Sequence, residues 1–89
     1  MMASLEYAES LVRTLRTLLA GLVAYRRHMR KPNDSALSQA AINSLNQCQR
    51  CWVEHTQQHA RHETASAFDS DNLWGFTQSL IDRLSGATA

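Results

Sequence analysis

The chain of 89 residues is 44% hydrophobic and 19% charged, and its formal net charge at pH 7 is +1. This length predicts one small domain spanning residues 1–89 and excludes a multidomain architecture. A domain of this size has a thin hydrophobic core, which favours self-association. The charge is unevenly divided: residues 1–31 carry six basic and two acidic groups, and residues 32–89 carry three basic and six acidic groups. This asymmetry favours antiparallel packing or the association of opposite ends.

The first predicted helix covers residues 4–30, with Ser4 as its N-cap. Its apolar residues recur in helical steps of three, four or seven, and we expect this stripe to face the next helix: Leu5, Ala8, Val12, Leu15, Leu19, Leu22 and Met29. Three further residues, Leu11, Leu18 and Tyr25, widen the stripe on one side. A stripe of this width predicts contact with more than one partner helix, so these three residues are candidates for binding a partner.

The only proline of the chain, Pro32, separates the first helix from a second predicted helix over residues 36–64. The residue before a proline avoids helical geometry, and Asn33, Asp34 or Ser35 can cap the helix that follows. The apolar face of the second helix alternates steps of four and three residues: Ala41, Leu45, Cys48, Trp52, His55, His59 and His62. Such a seam is typical of a helix packed lengthwise against another helix.

A third predicted helix covers residues 70–85 and ends before Gly86, a good helix terminator. Trp74 and Phe76 stand two residues apart and so cannot both face the core. We expect one of them, Phe76 in preference, to be exposed. Both are candidates for binding a partner, because exposed aromatic side chains are typical anchors for a protein partner. No alternating strand pattern is present, so the sequence predicts an all-α fold: a long antiparallel helical hairpin plus a short third helix, with a dimeric helical bundle as a variant.

The short turn sets an expected register for this hairpin. The register places Cys48 opposite Leu18 and Leu19, and it places Trp52 opposite Leu15. In the same register His55 lies opposite Leu11 and Val12, and His59 lies opposite Ala8.

The cysteines and three of the four histidines form one stripe on the second helix, and five of these residues are candidate metal ligands: Cys48, Cys51, His55, His59 and His62. Thiolate and imidazole would select Zn, Ni or Cu over Mg or Ca. The alternative is that the cysteines act as small core residues and the histidines are satisfied by hydrogen bonds. A single helix seldom supplies four ligands around one point, which favours the second interpretation and predicts no cofactor.

Catalysis and nucleic-acid binding are weaker interpretations of the same chain. Cys51 and His55 are spaced for a thiolate–imidazolium pair, but the sequence has no Gly-rich loop or nucleophile elbow beside them, and we expect no enzyme activity. The basic residues 26–31 are explained by their favourable interaction with a helix C-terminus, so nucleic acid is not an expected partner. The apolar run 18–25 is too short to span a membrane, and two unpaired cysteines favour a reducing cytoplasm.

The order of a long helix, a proline turn and a second helix is similar in outline to small bacterial adaptors such as type III secretion co-chaperones and needle subunits, and to some phage-encoded inhibitors. The likeness covers only the hairpin and the turn from Lys31 to Asp34, so it carries no functional residues with it. The sequence predicts a small protein that binds another protein or itself as an adaptor, a chaperone-like subunit or an inhibitor. The alternative function is that of a thiol- and histidine-based metal-binding or metal-sensing helical protein.

Overall fold

The computed structural model describes residues 2–58 and 70–86 of the chain, with side-chain surroundings for residues 5–58 and 73–86. The described residues form three helices and no strand: α1 (Met2–Arg30), α2 (Ser35–Gln58) and α3 (Ser70–Gly86). The all-helical prediction and the hairpin packing of α1 against α2 are therefore confirmed. The expected continuation of the second helix from His59 to Thr64 lies outside the described residues.

The turn between α1 and α2 follows from its proline and its cap. The main-chain N–H of Lys31 donates to the carbonyl of His28 at 3.0 Å, which closes the last turn of α1 before Pro32. Asp34 is the N-cap of α2, because its Oδ1 accepts a hydrogen bond of 3.0 Å from the main-chain N–H of Ala36. Of the three capping candidates in the sequence, the aspartate therefore starts the second helix.

Helix α2 is the central element, because it packs against both α1 and α3 while α1 and α3 make no close backbone approach within the described ranges. The hydrophobic core forms where α3 crosses the first half of α2, and it contains Ala41, Leu45, Leu80, Ile81 and Leu84. Further along α2, the side-chain amide of Gln49 donates to Thr77 Oγ1 and to Gln78 Oε1, both at 3.1 Å. Residues later in α3 therefore lie beside residues earlier in α2, which means that the two helices run antiparallel.

The side of α1 that packs against α2 carries residues that are mostly small or polar, and we call this line of buried and half-buried residues the inner face: Tyr7, Ser10, Thr14, Gly21 and His28. These residues share one side of the helix because they recur in steps of three, four and seven. The expectation that the leucine-rich stripe of α1 forms this contact is wrong for most of the stripe, although Leu22 does pack against the hydrophobic core. Four members of that stripe are well exposed instead: Leu5, Val12, Leu19 and Met29.

The register of the hairpin also differs from the expected one. The Cys48 thiol lies 3.9 Å from the main-chain oxygen of Thr14, about one helical turn from the expected Leu18. His55 meets Tyr7 and Ser10 instead of Leu11 and Val12. The reason is chemical, because a fully buried imidazole requires a polar partner and the leucine face of α1 offers none.

Gly21 allows α1 and α2 to approach closely. A Cβ atom at this position would lie 2.8 Å from Leu45 Cδ2 and 3.2 Å from Leu45 Cγ, and Leu45 is fully buried. By contrast, a Cβ atom at the helical Gly75 would meet no atom within 4 Å. The chain therefore contains one glycine that packing requires and a matched glycine that packing does not require.

We expect Gly75→Ala to raise the free energy of unfolding by about 0.5–1 kcal/mol, because alanine is favoured over glycine inside a helix. Gly21→Ala should lack this gain, since overpacking against Leu45 costs about 1–3 kcal/mol. Urea unfolding followed by circular dichroism measures both values. Equal gains at the two positions would show that α1 and α2 are not in close contact at Gly21.

Candidate functional site

The stripe of cysteine and histidine on α2 lies inside the protein as far as it is described. Cys48, Cys51, Trp52 and His55 are all buried, and both thiols are free. His59 and His62 lie outside the described residues. The described part of the stripe is therefore the α2 side of the seam between α1 and α2.

A hydrogen bond and contacts with two aromatic rings help to hold His55 in this seam. Its Nδ1 lies 2.9 Å from the hydroxyl oxygen of Ser10. The ring centroid of Tyr7 is 4.8 Å away in a tilted arrangement, and that of Trp52 is 5.5 Å away and stacked. The imidazole thus bridges α1 and α2 and packs as an aromatic residue with a satisfied polar edge.

The Cys48 thiol is in an environment that disfavours its thiolate form. Burial raises its pKa, a hydrogen bond with Thr17 opposes the rise, and the neighbouring Cys51 adds to it. Cys51 in turn accepts a long hydrogen bond of 3.8 Å from the side-chain amide of Gln47. Within residues 2–58 and 70–86, no three His, Cys, Asp or Glu side chains gather in a way that could hold a metal ion.

We expect Ser10→Ala to lower the free energy of unfolding by about 1–3 kcal/mol, because the buried His55 Nδ1 loses its hydrogen bond to the hydroxyl. Ser79→Ala on the exposed surface of α3 is the matched control and should change stability by less than about 0.5 kcal/mol. Urea unfolding at pH 7.5 provides both values. A Ser10→Ala protein as stable as the control would contradict the anchoring role of this contact.

The raised pKa of Cys48 also predicts how stability depends on pH. Its contribution is fully present below the ordinary thiol pKa of about 8.5, and it is lost as pH rises from there through the higher folded-state pKa. Stability should therefore fall between pH 8 and pH 10, and Cys48→Ala should reduce the slope of that fall. Urea unfolding at several pH values, with Glu54→Gln as an exposed control, tests this. An unchanged slope in Cys48→Ala would contradict it.

The exposed aliphatic side chains of α1 form a second, unpredicted feature. Leu5, Val12, Leu19 and Val23 are between 44% and 62% exposed. They lie within about 40° of one another around the helix axis, opposite the inner face. We call these four residues the outer stripe. Sequence reasoning placed three of them in the core and did not consider Val23.

The predicted partner-binding residues of α1 occupy a different line. Leu11, Leu18 and Tyr25 are half-buried and border the inner face, and Tyr25 packs against the hydrophobic core. The signal that distinguishes the two lines is the series of small and polar residues Ser10, Thr14 and Gly21, which allows close helix approach and so indicates the packed side.

Both predicted aromatic residues of α3 are exposed, Trp74 at 42% and Phe76 at 49%. The expectation for Phe76 is confirmed, whereas Trp74 was expected to be the buried one. The physical reason is that α3 packs through a different line, spaced by four, three and four residues: Leu73, Thr77, Leu80 and Leu84. Trp74 instead forms one wall of an open cleft of about 550 Å³ between α2 and α3, which Arg50, Val53 and Glu54 also line.

The two ends of α1 carry opposite charges. Glu6 and Glu9 are exposed near its N-terminus, whereas the exposed Arg26, Arg27 and Arg30 lie at its C-terminus. Glu6 and Arg27 are separated by about 31 Å along the helix. Charges this far apart are screened from each other at physiological ionic strength, so these two groups do not neutralise each other within one copy.

Comparison of this chain with protein-family models, with curated proteins and with solved structures finds no match. The described helices include none with both the length and the apolar character needed to cross a membrane.

Proposed function

We propose that this chain is a small helical protein-binding module that acts through the outer stripe of α1. The observation that carries the proposal is the exposure of Leu5, Val12, Leu19 and Val23 along one line of a 29-residue helix. Contiguous exposed apolar side chains mark interaction sites more often than isolated ones do. The partner is another protein or a second copy, and the roles of adaptor, chaperone-like subunit and inhibitor all use such a surface.

The distribution of residue types on α1 supports this proposal. The helix places serine, threonine and glycine in the seam and leaves two of its leucines and both of its valines exposed to solvent. Burying an exposed leucine or valine completely stabilises a complex by about 1.5–3 kcal/mol. Several such side chains along one line can therefore stabilise a complex substantially. The side chains of the outer stripe are available for this because they are not buried in the protein's own core.

The edge of α3 provides a second candidate surface. Trp74 and Phe76 are exposed, and Val53 of α2 lies with Trp74 in the open cleft. Tryptophan is the type of residue that dominates binding energy when a partner covers it. This edge is a weaker candidate than the outer stripe, because Trp74 and Phe76 do not lie on the same side of α3.

A binding role is supported over a catalytic one by the surroundings of the reactive groups. Cys48 is fully buried and its pKa is raised, which disfavours a nucleophilic thiolate. His55 is buried between two aromatic rings. Two free cysteines also support a reducing, cytoplasmic location as part of this proposal.

A photo-crosslinking amino acid introduced in place of Leu19 tests the proposal in cells that express the protein. We expect illumination to give an adduct of discrete mass, because the partner lies against the outer stripe. The matched control places the same residue at Asn43, which is exposed on α2. An adduct of twice the chain mass identifies a second copy, and any other discrete mass identifies another protein.

Equal adduct yields at Leu19 and Asn43 would contradict the proposal. A second measurement protects against a folding artefact, since circular dichroism of both variants should show unchanged helix content. Leu19 is exposed, so its replacement removes no core contact.

A further inference from the structure

We infer that the partner of the outer stripe is the outer stripe of a second copy, packed antiparallel around a two-fold axis. This inference rests on the proposed function, because it names the occupant of the same surface. It is carried by two independent properties of α1: the order of its exposed aliphatic residues and the opposite charges of its two ends.

The outer stripe is complementary to itself when two copies run antiparallel. In a two-fold interface, residue i of one copy contacts residue j of the other, and residue j contacts residue i in return. Centring the crossing between residues 15 and 16 places Val12 of one copy against Leu19 of the other. The same register places the small Ala8 against Val23, and the aliphatic stem of Arg26 covers Leu5.

Charge selects the antiparallel orientation over the parallel one. In the antiparallel pair, Glu6 and Glu9 of one copy approach Arg26 and Arg27 of the other, and this contact occurs twice. A parallel pair would instead place carboxylates beside carboxylates and the basic cluster beside its own copy. Like charges brought together in this way oppose association, whereas opposite charges favour it and determine the orientation.

The charged residues near the middle of the helix do not change this choice. Arg13 and Arg16 are exposed and lie near the centre of the crossing, so they approach the partner's arginines in either orientation. They weaken both arrangements to a similar extent. The two helix ends, about 31 Å apart, therefore decide between the orientations.

Neither α2 nor α3 covers the outer stripe, so this surface is open to a second copy. The outer stripe lies on the side of α1 opposite α2, and α3 packs against α2 without a close backbone approach to α1. As far as the described residues extend, a second copy can thus approach the outer stripe without displacing either contact. The expected assembly has the two copies of α1 in its centre and an α2–α3 layer on each outer side.

Sedimentation velocity of the purified full chain over a range of micromolar to millimolar concentrations tests self-association. We expect a monomer–dimer equilibrium that Leu19→Asp weakens by about a hundredfold, because each of the two copies loses the burial of a leucine side chain. Asn43→Asp on α2 is the matched control, as it introduces the same charge at an exposed position away from the outer stripe, and it should leave the equilibrium unchanged. Circular dichroism should show that both variants remain helical.

Disulfide trapping tests the orientation. A mixture of the Ala8→Cys and Val23→Cys proteins, oxidised at a concentration that favours the dimer, should form the mixed disulfide between the two positions. Each variant alone should give little dimer, because an antiparallel pair separates identical positions. Peptide mapping distinguishes these bonds from any made by Cys48 or Cys51, which are buried. Disulfides between identical positions in preference to the mixed one would overturn the antiparallel arrangement.

The remaining outcomes separate this inference from the proposed function. A monomer at every concentration, together with a Leu19 adduct to another protein, would overturn self-association and leave the binding role standing. A monomer that floats with anionic phospholipid vesicles, and loses this on Leu19→Asp, would overturn the inference in favour of a lipid surface. A monomer without an adduct or vesicle binding would overturn both proposals.

Discussion

The buried contact between His55 and Ser10 is the constraint on which the arrangement of α1 depends. A fully buried imidazole costs free energy unless its polar edge is paired, and the serine hydroxyl at 2.9 Å provides that pairing. Because Ser10 must face α2, the residues one and three turns further along α1, Thr14 and Gly21, face it as well. The contact between His55 and Ser10 therefore favours one orientation of α1 along most of its length.

The small residues of the inner face turn this orientation into a close contact. Gly21 leaves room for Leu45. The hydroxyl of Thr14 bonds to the carbonyl of Ser10 at 3.0 Å within its own helix, so it adds no unpaired polar group to the seam. The Cys48 thiol then meets the carbonyl of Thr14. The seam is polar in composition, and the polar atoms of its threonine and serine side chains are satisfied.

The orientation of α1 also determines which of its side chains are exposed to solvent. A helix that presents its polar side to the core must present its apolar side elsewhere, and the aliphatic residues Leu5, Val12 and Leu19 are left in solvent. The core is placed instead between α2 and α3, where Leu45, Ile81 and Leu84 meet. This division supports the view that α1 serves both to complete the hairpin and to bind a partner.

Several features follow from the sequence alone because they depend on local chemistry. Pro32 and the capping residues that follow it place the break between α1 and α2, although the structure is needed to identify Asp34 as the cap. The alternating steps of Ala41, Leu45 and Cys48 identify the buried side of α2. The spacing of Trp74 and Phe76 predicts that at least one of them is exposed, and both are. Each of these features requires only helix periodicity or the preferences of single residues near a helix end.

The rotation of α1 about its axis was decided only by the tertiary structure. Its apolar residues cover about half of the helix surface, so hydrophobic periodicity allows more than one packed side. The choice depends on a long-range pair, Ser10 with His55, and on a close approach, Gly21 with Leu45. Neither pair is local in sequence, and the energy of each exists only when both helices are in place, which is why periodicity alone assigns Leu5, Val12 and Leu19 to the packed side although they are exposed.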